Sequence, residues 1–128
     1  MISKISEGVT IMVETFYQTD YSNPVNQEFM FAYRITIENN NHFPVKLLRR
    51  HWHIIEGSGL RREVEGEGVI GLQPLIEPGR SYQYISGCNL RSEIGGMHGT
   101  YTMLNLHTKR EFKVTIPRFE MIVPFKMN

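Results

Sequence analysis

Phe29-Met30-Phe31-Ala32-Tyr33-Arg34-Ile35-Thr36-Ile37-Glu38 is the stretch that decides the fold. Phe29, Phe31, Tyr33, Ile35 and Ile37 fall on every second position, with Met30, Ala32, Arg34, Thr36 and Glu38 between them. Side chains of a strand point alternately to the two faces of its sheet. This run therefore predicts a strand with one aromatic and β-branched face in a core and the other largely in water. The same rhythm recurs on both sides. Val9, Ile11 and Val13 alternate with Thr10, Met12 and Glu14. Leu48, Arg50, Trp52 and Ile54 share one face of a third run, and Arg49, His51 and His53 share its other face. Tyr82 and Tyr84, then Tyr101 and Met103, then Phe112, Val114 and Ile116 continue the pattern, and Phe119 to Val123 forms a last apolar segment.

Turn residues punctuate these runs at Ser22-Asn23-Pro24, Asn39-Asn40-Asn41, Gly57-Ser58-Gly59, Pro78-Gly79 and Gly95-Gly96. Pro117 and Pro124 lack a donor and suggest an edge, a bulge or a strand changing sheets. No window of a dozen residues carries the i, i+3, i+4, i+7 spacing of an amphipathic helix. About seven or eight short strands with frequent turns predict an all-β antiparallel sandwich of two sheets, of the immunoglobulin or fibronectin-III type. The whole chain, residues 1–128, reads as one domain without linker or repeat. The expected core is Phe29, Phe31, Tyr33, Ile35, Ile37, Trp52, Ile54, Tyr101 and Met103. No cysteine pair flanks Trp52, which favours the fibronectin-III variant over the antibody one.

Composition narrows the function. At 128 residues the chain is the size of one ordinary domain, 41% hydrophobic and 21% charged. Fourteen Lys and Arg against thirteen Asp and Glu leave a net charge of +1. That balance argues against binding nucleic acid or an anionic membrane, where clustered positive charge supplies the affinity. No stretch approaches the ~20 apolar residues of a spanning helix. Met1 to Gly8 lacks the apolar segment of a signal peptide. Cys88 is the single cysteine, so no intramolecular disulfide ties the fold to an oxidising compartment, and the expected location is cytoplasmic.

Glu65-Gly66-Glu67-Gly68-Val69-Ile70-Gly71-Leu72-Gln73-Pro74 contains the string G-x-G-x-x-G. A dinucleotide site needs a helix opening within that string, with the pyrophosphate at its N-terminus. Pro74 comes too soon for such a helix, and Glu67 would set a carboxylate beside the phosphates. Two readings remain. Gly66, Glu67, Gly68 and Gly71 could form a nest of backbone N–H groups that binds a small anion or nucleotide phosphate, helped by Arg61 and Arg62. Alternatively the glycines serve a long, tight connection between strands.

His51 and His53 stand two apart on a predicted strand and so share a face, a spacing that seats two imidazoles on one divalent metal. His42, His98, His107, Glu63, Glu65 and Glu67 are the available third ligands. Polar surface is the competing reading of the pair. Ser86-Gly87-Cys88 offers a hydroxyl and a thiol but no base set by spacing, and Cys88 suits a small buried hydrophobe. No catalytic set assembles, so a non-enzymatic binding module is expected.

His51-Trp52, Glu63-Val64, Gly66-Glu67-Gly68-Val69, Gly71, Gln73-Pro74, Pro78-Gly79, Ser86-Gly87-Cys88 and Gly99-Thr100-Tyr101-Thr102-Met103 follow one another at spacings that resemble the ApaG family. Phe31-Ala32-Tyr33, Ile35-Thr36-Ile37, Pro44-Val45, Ile116-Pro117 and Val123-Pro124 fit the same pattern. The resemblance implies a fibronectin-III-like sandwich, found alone in bacteria and appended to eukaryotic F-box and polymerase-interacting proteins. It carries an association with cobalt resistance and magnesium efflux by phenotype, with no molecular activity attached and no cofactor. The appended copies favour a protein partner, engaged through loops or a sheet edge. Edge strands also permit homo-oligomerisation without requiring it.

Overall fold

The computed structural model describes residues 1–124; residues 125–128, the end of the expected domain, lie outside the described residues. Two antiparallel sheets face each other. The first holds β1 (Ile2–Ser6), β2 (Val9–Tyr17), β3 (Phe29–Asn39) and β7 (Ser81–Leu90) in the order β1-β2-β3-β7. The second holds β5 (Arg61–Glu67), β4 (Val45–Glu56), β8 (Ile94–Asn105) and β9 (Glu111–Ile122) in the order β5-β4-β8-β9, with the short β6 (Leu75–Ile76) paired to the start of β4. Two single turns of 3₁₀ helix, Thr19–Tyr21 and Pro24–Asn26, lie between β2 and β3.

β3 alternates buried and half-buried along its whole length, as its hydrophobic period of two requires. Its inward residues meet those of β4, β8 and β9 in one core. Every residue of the expected core is buried. Trp52 sits at its centre, edge-on to Tyr33, Tyr101 and Phe119 at ring distances of 5.6, 6.3 and 5.9 Å. Such edge-to-face contacts place the positive rim of one ring on the negative face of another.

Several expectations on strands and turns are corrected. Nine strands form among the described residues, because β1, β5 and β6 carry too little apolar alternation to stand out. Leu48 does not share the face of Trp52. A β-bulge between Leu47 and Arg49 inserts Leu48 as an extra residue, so Val45 and Leu47 face inward before it and Arg50, Trp52 and Ile54 after it. Gly95-Gly96 is not a turn but part of β8. A Cβ on Gly95 would lie 2.6 Å from a Leu90 methyl, so glycine here serves close packing between strands. The turn lies just before it, where the buried Glu56 carboxylate accepts bonds from the N–H of Arg91 at 2.6 Å and of Ser92 at 3.1 Å. Phe119 to Val123 is no separate segment, since β9 runs through Pro117. Pro117 and Arg118 together oppose the single residue His98, a bulge on an edge strand, where a missing donor is tolerated.

Candidate functional site

Two places gather the residues singled out above, one on each face of β5. Strand alternation points Arg62, Val64 and Gly66 inward and Arg61, Glu63, Glu65 and Glu67 outward. The stretch around Glu65 and Glu67 is therefore a strand with an exposed acidic face.

Inward, the glycine segment closes as a two-residue hairpin. Val69 and Leu72 exchange both backbone bonds, at 2.8 and 3.0 Å. Ile70 and Gly71 turn the corner with φ of 48° and 73°, the paired positive angles of a type I′ turn. Gly68 is obligatory, because a Cβ there would stand 1.9 Å from the Leu72 carbonyl oxygen. No helix follows, so the dinucleotide arrangement is absent. The N–H groups of Gly68, Val69 and Leu72 all donate within the fold, to the carbonyls of Leu48, Leu72 and Val69. The loop turns carbonyls, not donors, to its nearest charge: Arg50 Nη1 donates to the Glu67 carbonyl at 2.9 Å and the Gly68 carbonyl at 3.0 Å. Arg50 lies across Gly66, where a Cβ would be 2.8 Å from its Nη1.

Arg61 and Arg62 do not join the glycine turn. They begin β5, six residues away, about 20 Å along a strand. Arg62 instead bridges the seam between the two sheets, donating to the Asn89 carbonyl of β7 at 2.7 Å and contacting Cys88 Sγ at 3.8 Å. Two small cavities of about 170 and 230 Å³ open along this seam and share Tyr33, Arg50, Trp52 and Ser86. Ile70 and Gly71 rim the first, and Arg62 and Cys88 line the second. Among the described residues no carboxylate lies within 4.0 Å of the Arg50 guanidinium. Arg50 is the functional candidate that sequence reasoning missed. Its inward place was legible from alternation with Trp52, but its neighbours come from β3, β5 and β7. Burial pushes the Cys88 thiol above its ordinary pKa, more than the Arg62 charge lowers it, so it is protonated at neutral pH. Burial likewise raises Tyr84 and Tyr101, whose hydroxyls share a hydrogen bond in the core.

Outward, antiparallel register sets His53 opposite Glu63 and His51 opposite Glu65. His51 Nε2 stands 3.4 Å from Glu63 Oε2 and 3.3 Å from Glu65 Oε1, and His53 Nδ1 stands 3.5 Å from Glu63 Oε1. His98 of β8 is opposite His53 on the other side and stacks on it at 4.9 Å and 12°. Desolvation and the neighbouring His53 charge lower the His98 pKa. Of the possible third ligands, Glu63 gathers with both histidines, Glu65 reaches His51 alone, and His98 meets the pair by stacking on His53. His42, His107 and Glu67 are not among the groups that reach it.

The ApaG domain profile matches residues 19–105. Protein ApaG of Escherichia coli is 44% identical over 119 residues, covering 93% of this chain and 94% of that one. Protein ApaG of Pectobacterium atrosepticum is 41% identical over 116 residues, covering 91% and 92%. The crystal structure of a Bordetella pertussis protein named ApaA is similar at a TM-score of 0.88 and 38% identity, over 91% of this chain and 94% of that one. The profile matches about two thirds of the chain and the relatives and the solved structure cover more than nine-tenths of it, so the chain belongs to the ApaG family.

Proposed function

We propose that this ApaG protein is a non-enzymatic, cytoplasmic binding module that recognises another protein through the tip of its glycine hairpin. One observation carries this reading. Ile70 and Leu72 are 59% and 58% exposed on a turn that the fold holds rigidly. Val69 is buried beneath them, Gly68 is locked by close approach, and Arg50 ties the loop carbonyls to β4. Large aliphatic side chains held in water on a fixed scaffold are a common basis for protein recognition, since little ordering entropy is lost on docking. A β-branched residue at a positive φ adds to the case, because strain of this kind concentrates where function requires it. None of the relatives named above carries an activity in its name.

The test is quantitative affinity capture with wild type and the Ile70→Asn, Leu72→Ser double variant. We expect a partner recovered by wild type to be lost with the variant. Equal recovery by both proteins would remove the loop tip from the interface.

Arg50 favours a second reading, a small anion in the seam. Its guanidinium faces Tyr33, Trp52, Tyr84 and Ser86 without a carboxylate partner among the described residues. The anion would then meet a guanidinium fork, not the glycine N–H groups. Calorimetry with pyrophosphate and ATP, on wild type and Arg50→Lys, distinguishes the two readings.

A further inference from the structure

We infer that the outer face of the five-stranded sheet holds a borderline transition-metal cation, with His51 Nε2, His53 Nδ1 and a Glu63 carboxylate oxygen as ligands. One ligand atom from each of these three residues lies within 4.8 Å of the other two. His51 Nε2 stands 3.4 Å from Glu63 Oε2 and His53 Nδ1 3.5 Å from Glu63 Oε1, so each imidazole faces its own oxygen of the one carboxylate. A tetrahedral ion with ligand bonds of about 2.0–2.1 Å keeps its ligand atoms about 3.3 Å apart. The three groups are therefore gathered close enough that small side-chain rotations would bring them onto one ion.

The framework explains why. His51 and His53 sit on β4, the second strand of its sheet, and Glu63 is fixed opposite His53 by β5 pairing. The His53 ring is clamped between His51, at 4.6 Å, and His98, at 4.9 Å, which limits its rotation. Glu65 Oε1, 3.3 Å from His51 Nε2, adds negative charge beside the site. His51 and His53 are half-buried and Glu63 is exposed, so the site is open to solvent.

Donor chemistry selects the ion. Two imidazoles and a carboxylate suit zinc(II), cobalt(II), nickel(II) or copper(II), whereas magnesium(II) and calcium(II) prefer all-oxygen shells. The site is separate from the hairpin tip, so this reading and the protein-binding one stand or fall apart.

The experiment is calorimetric titration of the full, untagged chain with zinc(II) at neutral pH, without and with excess magnesium(II). We expect one zinc per chain, with magnesium failing to compete. Loss of both imidazoles in His51→Ala, His53→Ala should weaken binding by more than about a hundredfold, and Glu63→Gln by about tenfold. A His42→Ala, His107→Ala control should bind as wild type does. All these side chains are on the surface, and circular dichroism verifies that each variant keeps the fold. No zinc binding by wild type, unchanged binding in the double variant, or no effect of Glu63→Gln would each overturn the site. So would displacement of zinc by magnesium.

Discussion

Ile70 occupies a backbone conformation that Asn or Gly would adopt with less strain. Its φ of 48° presses Cβ toward the backbone, a penalty of roughly 1–2 kcal/mol for an L-residue with a branched Cβ. Ile70→Asn would place Asn-Gly at the corner, the preferred pair for a type I′ turn. We expect that variant to be more stable than wild type by about 1 kcal/mol, read as a higher urea midpoint with an unchanged slope. A lower midpoint would mean that Ile70 contributes more by packing over the seam than it loses by strain. A stabilised protein that no longer captures its partner would have the form of a stability–function trade. Gly68 and Arg50 act at the same scale. The glycines were legible in the sequence as a turn, but the Leu72 carbonyl that excludes a side chain at Gly68 is a neighbour only after the hairpin closes.

Strand pairs set the next scale. On β2 and β3, Glu14 and Arg34 face each other and form a two-pronged pair, with both N–O distances at 3.1 Å. Arg34 also lies over the Phe16 ring at 5.2 Å. The hydrogen-bonded Arg34 guanidinium holds the Glu14 carboxyl below its ordinary pKa. The folded state thus binds the Glu14 proton less tightly than the unfolded chain does. The resulting stabilisation is complete above the ordinary glutamate value of about 4.3 and disappears as pH falls through the lowered folded value. In Arg34→Ala the acid limb of the stability–pH curve should flatten in that window, while the curve near neutral pH keeps its shape. An unaltered acid limb would show that the pair contributes nothing measurable there. Elements differ in how well they could be read. β3 was plain because one face is wholly apolar. β5 was hidden because Arg61 to Glu67 has polar residues on both faces and borrows its structure from pairing with β4.

At the scale of the whole molecule, Trp52 joins the two sheets. It touches Tyr33 of the first sheet and Tyr101 and Phe119 of the second, and is 3% exposed. Trp52→Ala should lower stability by about 3–5 kcal/mol, measured by chemical denaturation, because a cavity opens among rings that cannot collapse into it. An unchanged midpoint would place the centre of the core elsewhere. The sequence by itself determined that oily residues recur every second position, and hence that facing sheets enclose them. That pattern is local, written in neighbours along the chain. It also placed His51 and His53 on one face. Only the tertiary structure decided which carboxylates stand beside them, that Arg50 and not Arg61 or Arg62 meets the glycine turn, and that a bulge at Leu48 changes which side chains face inward. Register and bulges are properties of paired strands far apart in sequence. A shift of one residue in that pairing would have moved Glu63 and Glu65 to the other face of the sheet and left the imidazoles without them.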